Sequence, residues 1–216
     1  MNKTDLKLYA ITDRQWLHGA SLSEHVKLAI EGGATMIQIR DKDILSTDSD
    51  AGLKDEYNEA LEIKRICHEH RVPLIINDNV QFAIDIDADG VHLGQDDMNP
   101  AEARKLLGTD KIIGVTAKTV EQAKRAEADG ADYLGSGAVF GSTTKLNAKP
   151  MTKELLREIT AAVDIPVVAI GGINADNAST LKGTGIAGIA VVGAIFASED
   201  IKAAAKALAE ICDNML

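Results

Sequence analysis

The sequence predicts a single (β/α)8 barrel, and three observations carry that prediction. Short β-branched runs alternate with helical stretches from one end of the 216-residue chain to the other, eight of each. The joints from helix to next strand repeat one theme, seen in "EGGATMIQI", "EADGADYLG" and "GTGIAGIAVV": Gly where a helix ends, a small residue, then the strand. No low-complexity linker or composition break divides the chain, so residues 1–216 are expected to form one domain.

The first strand reads from KLYAIT (7–12) and runs into "TDRQW". A doubly wound open sheet, the other fold with this alternation, usually carries a Gly-rich phosphate turn there. Ser21 and Glu24 have capping-box spacing and open a helix over 22–31. Strand 2 is TMIQIR (35–40), followed by a helix over 52–70. Strand 3, PLIIN (73–77), precedes a short helix over 80–86; strand 4, GVHL (90–93), precedes one over 100–107 that starts on Asn99-Pro100. Strand 5 is IIGVT (112–116), and Thr119 with Gln122 caps a helix over 120–129. Strand 6, YLGS (133–136), leads into a long loop, then a helix over 152–162. Strands PVVAI (166–170) and GIAVV (188–192) are each followed by a helix, over 174–182 and 199–213.

Composition narrows the function. Hydrophobic residues make up 45% of the chain and aromatics 3%, so the core is aliphatic. The formal net charge of −10 argues against nucleic acid as a partner but leaves room for a locally basic pocket. Cys67 and Cys212 belong to no metal-spaced set and are expected to be free thiols in a reducing compartment. The N-terminus has no long apolar stretch, and the most apolar run, 185–197, is too short and Gly-rich to span a bilayer. A cytoplasmic protein with no membrane partner is expected; the sequence leaves a homo-oligomer open.

In a barrel, chemistry sits at the C-terminal ends of the strands. At the end of strand 2, Gln38, Arg40 and Lys42 alternate and so share one face, while Ile37 and Ile39 take the other. Unpaired cations are costly to bury, so an anion is expected there; Asp41 and Asp43 leave a surface ion-pair strand as the alternative. Strand 3 ends in Asn77 and Asp78, and strand 4 is followed by Gln95, Asp96 and Asp97. Two acidic loops on adjacent strands can share Mg²⁺, which typically takes one or two carboxylates plus substrate phosphates; alternatively Asp96 and Asp97 serve the next helix dipole. Thr116 ends strand 5 with a hydroxyl. The loop "GAVFGSTTKLNAKP" (137–150) offers Ser142, Thr143, Thr144 and Lys145 as an anion-gripping lid. Gly171 and Gly172 allow close backbone approach, Asn174 is expected to start a helix whose N-terminus attracts anions, and strand 8 ends in small residues at Val192, Gly193 and Ala194. His68 and His70 do not share a helix face, His92 reads as a satisfied core histidine, and no nucleophile–base triad is visible. The inventory suits departure of diphosphate from one substrate while a second, phosphorylated one is held close.

These residues resemble thiamine phosphate synthases. The ordered set "LYAITDR", Q-x-R-x-K, "IND", "GVHLGQDD", "GVTAKT", a hydroxyl-rich loop ending in Lys, and "PVVAIGGI" covers the chain from Leu8 to about Phe196. The resemblance implies a barrel that joins 4-amino-2-methyl-5-(diphosphooxymethyl)pyrimidine to a thiazole phosphate, giving thiamine phosphate and pyrophosphate. It implies a dissociative course, in which diphosphate leaves first and the thiazole nitrogen captures a pyrimidine cation. By motif, Gln38, Arg40, Lys42 and Asn77 would hold the pyrimidine diphosphate, with Thr116 and Lys145 on its phosphates; Arg40, Lys42 and Lys145 would be catalytic. Asp78 and Asp97 would bind Mg²⁺, Asp96 taking the variable place. Ser142, Thr143, Thr144, Gly172, Val192 and Gly193 would meet the thiazole phosphate. This chain has Thr116 where Ser is common, Ala138 and Gly141 in place of prolines, Gly193 in place of a frequent Ser, and a slightly longer loop after Lys42. Such departures bear on thiazole affinity more than on the reaction.

Two other functions use the same barrel: a thiazole tautomerase-like isomerase, which needs no diphosphate site, and a non-catalytic thiamine-precursor binding protein. Arg40, Lys42, Asp78, Asp97 and Lys145 together favour the synthase. A Schiff-base aldolase is disfavoured, because "YLGS" supplies no lysine for the imine.

Overall fold

A computed structural model describes residues 1–40, 50–141 and 150–216. Eight parallel strands close into a barrel in chain order. They are β1 (Leu8–Ile11), β2 (Met36–Ile39), β3 (Leu74–Asn77), β4 (Gly90–Leu93), β5 (Ile112–Thr116), β6 (Tyr133–Gly137), β7 (Val167–Ile170) and β8 (Gly188–Val191), which pairs back onto β1. Around them lie α1 (Leu22–Glu31), α2 (Asp50–His70), α3 (Val80–Asp85), α4 (Pro100–Leu107), α5 (Val120–Ala128), α6 (Lys153–Ala162), α7 (Gly193–Phe196) and α8 (Ile201–Met215).

The period of two in each strand sorts side chains between two cores. Leu8, Ala10, Ile37, Ile39, Leu74, Ile76, Val91 and Leu93 point outward and are buried beneath the helices. Tyr9, Ile11, Met36, Ile75, Ile112, Tyr133, Val168 and Ala190 point inward and pack against one another inside the barrel. Burial on both faces explains why the strands read as near-continuous aliphatic runs.

The caps follow the sequence with one adjustment. Ser21 and Glu24 form the reciprocal box, and Asn99 accepts from Ala101 N at 2.8 Å ahead of Pro100. Thr119 accepts from Gln122 N, but the Gln122 side chain turns back one residue further, taking Lys118 N at 2.7 Å. Gly33, Gly130 and Gly185 leave their helical segments at positive φ, as the repeated joints predict. Arg71 and Asp87 make the same left-handed exit at φ 58 and 52, which no Gly announces in the sequence.

The crossover from β7 to β8 departs from expectation. No helix starts at Asn174; that side chain accepts from Asp176 N and Asn177 N in a tight turn, and only a 3-10 turn (Ala178–Leu181) follows. The local hydrogen bonds of Asn174 and Asn177 satisfy the backbone that a helix would otherwise have used. The expected anion-attracting helix N-terminus at Asn174 is therefore absent. A short helix that the sequence did not announce, α7, starts instead directly after β8.

Among the described residues no helix is long and apolar enough to cross a membrane. Cys67 and Cys212 are free and buried, and burial pushes both thiols up to about 12.

Candidate active site

The strand ends of β2 to β5 surround a cavity of about 290 Å³. Arg40, Asn77, Asp78, Asp97 and Thr116, all expected site residues, line it, together with His92, Gln95, Asp96 and Lys118. Each is held by its strand end. Arg40 N donates to Thr12 Oγ1 at 3.1 Å, fixing the backbone where β2 ends. Asp78 N donates to the His92 carbonyl at 2.8 Å, tying the end of β3 to β4. Gln95 Nε2 donates to the Thr116 carbonyl at 2.5 Å, tying the loop after β4 to β5.

Asp97 does not serve the next helix. Its Oδ2 accepts from Gly94 N at 2.6 Å, so the carboxylate folds back over the end of β4, and Asn99 caps α4. There it lies within hydrogen-bond reach of Asp78. Asp78 sits at φ 61, a left-handed conformation that aims its carboxylate at the cavity, and Asn77 Nδ2 donates to its Oδ2 at 2.6 Å. Partial burial, and then the facing Asp97 carboxylate, push the Asp78 carboxyl up to about 6; Asn77 and the Arg40 charge pull the other way. Two facing carboxylates on one cavity wall, one of them partly buried, suit a divalent cation between them. Among the described residues no three His, Cys, Asp or Glu side chains gather at one point. The donor set is thus two carboxylates, the number Mg²⁺ takes when phosphates and water complete its shell.

Other expected residues lie elsewhere. Gln38 is 2% exposed and sits beneath Arg40 inside the barrel, donating from Nε2 to Tyr9 Oη at 2.5 Å. Gly172, at φ 65, packs under the loop after β6, where a Cβ would meet the Phe140 carbonyl at 2.7 Å. Val192 and Gly193 form the start of α7, so the strand 8 end presents a short helix N-terminus, a common phosphate position in this fold. Lys42, Ser142, Thr143, Thr144 and Lys145 lie outside the described residues. Sequence reasoning passed over Lys118 and treated His92 as core. Lys118 follows Thr116 at the same alternation that singled out Arg40 and Lys42, so the signal was available. His92 is indeed satisfied, with Nδ1 3.0 Å from Tyr133 Oη and Nε2 3.0 Å from Thr116 Oγ1, but it also walls the cavity.

Residues 8–195 match the family model for thiamine monophosphate synthase. The chain belongs to the thiamine monophosphate synthase family. Among curated members, the thiamine-phosphate synthase of Ruminiclostridium cellulolyticum is 48% identical over 213 residues, 99% of this chain and 98% of that one. That of Clostridium novyi is 48% identical over 95% of this chain and 98% of its own. A solved thiamine phosphate pyrophosphorylase from Pyrococcus furiosus superposes with TM-score 0.87 at 39% identity, covering 99% and 98% of the two chains. Within the thiamine monophosphate synthase family, the Gln38 and Arg40 of this chain's Q-x-R-x-K motif, its "IND" and its "GQDD" fall at the ends of β2, β3 and β4.

Proposed function

We propose that this chain is a Mg²⁺-dependent transferase that condenses 4-amino-2-methyl-5-(diphosphooxymethyl)pyrimidine with a thiazole phosphate, releasing pyrophosphate with thiamine phosphate. Full-length similarity to thiamine-phosphate synthases supports the condensation. The observation that carries metal dependence is the crowding of Asp78 and Asp97 at the mouth beside Arg40.

Asp78 and Asp97 would hold Mg²⁺, which when bound supplies positive charge to a departing diphosphate. Arg40 and Lys118 line the same cavity and add fixed cations where that charge develops. Lys42 and Lys145 are assigned to the same group by motif. The C–O bond of the diphosphate ester breaks heterolytically, its electron pair leaving with pyrophosphate, and the thiazole nitrogen lone pair closes the new C–N bond. Asn77 keeps Asp78 oriented through its 2.6 Å hydrogen bond. Ser142, Thr143, Thr144, Gly172, Val192 and Gly193 are assigned to the thiazole phosphate, whose charge suits the N-terminus of α7. An isomerase acting on the thiazole alone would have no use for the Arg40–Asp78–Asp97 grouping.

Purified protein incubated with both substrates, with and without Mg²⁺, decides the matter by mass spectrometry. Metal-dependent formation of thiamine phosphate and pyrophosphate in equal amounts is expected. Product formed equally well in chelator would overturn the metal assignment, and no product at all would overturn the reaction.

A further inference from the structure

A continuous line of hydrogen bonds crosses the barrel interior from β2 to β5. Gln38 Nε2 lies 2.5 Å from Tyr9 Oη, Tyr9 Oη 2.9 Å from Tyr133 Oη, Tyr133 Oη 3.0 Å from His92 Nδ1, and His92 Nε2 3.0 Å from Thr116 Oγ1. Tyr9 and Tyr133 are buried, whereas His92 and Thr116 reach the cavity. The barrel is cut to admit this line. A Cβ on Gly114 would lie 2.0 Å from Tyr133 Cζ, and one on Gly135 would lie 3.1 Å from His92 Cε1. Two inward-facing positions on β5 and β6 therefore carry no side chain where the two rings lie.

We propose that Tyr9, Tyr133 and His92 are positioning residues whose hydrogen bonds all run in one sense and turn the Thr116 hydroxyl into a donor aimed at the substrate. Proton counting gives the sense. Each phenol has one proton, and burial holds both well above their ordinary pKa, so both stay neutral. Tyr9 accepts from the Gln38 amide and so spends its proton on Tyr133. Tyr133 then spends its own on His92 Nδ1. With Nδ1 accepting, a neutral imidazole carries its hydrogen on Nε2 and donates to Thr116 Oγ1. Thr116 accepts there, and its single proton faces the cavity that it lines. The substrate atom it meets is an acceptor, a phosphate oxygen or ring nitrogen. This inference rests on the function proposed above for what occupies the cavity, but the direction of the line does not.

Nitrogen-15 NMR of the whole protein reads that direction without turnover. His92, assigned by the signal lost in His92→Asn, is expected in the Nε2–H form with Nδ1 unprotonated; Tyr133→Phe is expected to release it into a mixture of tautomers. Nδ1 carrying the proton in the wild type would overturn the proposal. A double-mutant cycle supplies the second readout. Tyr133→Phe is expected to lower kcat/KM about tenfold alone but less than about twofold in a Thr116→Val background. Equal losses in both backgrounds would show packing rather than positioning and overturn the proposal. Wild-type protein that forms no product would defeat the proposed reaction, while the NMR result would still decide the line.

Discussion

Replacing Gly114 by Ala tests how rigidly the barrel interior is filled. Gly114 has no positive φ, so an alanine there carries no backbone penalty, and the whole cost is steric. The new methyl would sit 2.0 Å from Cζ and 2.3 Å from Oη of Tyr133, a ring with 0% exposure. Overpacking of this kind costs about 1–3 kcal/mol. Displacing the phenol also breaks its bonds to Tyr9 and His92, at about 1 kcal/mol each. The sum is about 3–5 kcal/mol, or a fall in Tm of roughly 6–20 °C for a domain of this size. Gly108→Ala is the reciprocal control. Gly108 sits at φ 83, ψ −175, a region essentially reserved for Gly, with no atom within 4 Å of its would-be Cβ, so it carries backbone strain and no clash, about 1–3 kcal/mol. Urea unfolding and thermal melts of the two variants beside the wild type separate the effects. A Gly114→Ala protein within about 1 kcal/mol of the wild type would refute the reasoning, because Tyr133 would then have room to move.

Asp78→Asn or Lys42→Ala is expected to lower turnover strongly while leaving far-UV circular dichroism unchanged; wild-type rates in either would sink the site assignment. The folded Asp78 carboxyl is raised to about 6, so between its unfolded value and that pH the folded state binds the extra proton. In chelator, stability should therefore fall as pH rises from about 4 to about 6 and stay lower above. Asp78→Asn should flatten that segment of the urea midpoint against pH, and Mg²⁺ should stabilise the wild type more above pH 6 than below. Arg104 donates to the carbonyls of Gly108, Lys111 and Gly130 and to Asp132 Oδ2, stitching the end of α4 to the joint before β6. Arg104→Met should cost about 2–3 kcal/mol by chemical denaturation, and Lys should not rescue it, because an ammonium cannot reproduce the planar fork.

The barrel was legible because a buried parallel strand leaves a signature few other elements share: TMIQIR and PVVAI are too apolar to face water and too short for helices. Gln38 and Arg40 could be placed on one face of strand 2 from alternation alone; Gln38 reaches Tyr9 inside the barrel and Arg40 lines the cavity above it. What alternation cannot give is depth. Gln38 and Arg40 share a face, yet one is sealed below and the other opens to the cavity, because the depth of the mouth depends on how far neighbouring strands extend. Nothing in the sequence singles out Tyr9 and Tyr133, since a pairing 124 residues apart leaves no local mark. The missing helix after β7 has a nearer cause. Asn174 and Asn177 can cap a helix or close a turn with the same atoms, and composition does not choose between them.

Asp78, at φ 61, occupies a conformation that Asp, Asn and Gly accept and most other residues resist by about 1–2 kcal/mol. The alphabet at this position is therefore short, and its members are unequal in chemistry. Asn would keep the backbone and lose the charge; Gly would keep the backbone and lose the side chain. Both are one base change from either Asp codon. Glu, the only other residue that would retain a carboxylate, is the one the backbone resists. On the metal-binding role proposed for Asp78, mutation at this site would silence the chemistry while leaving the barrel standing, so the short path open to a drifting copy of this chain would lead to a folded protein that still offers its pocket and no longer turns it over.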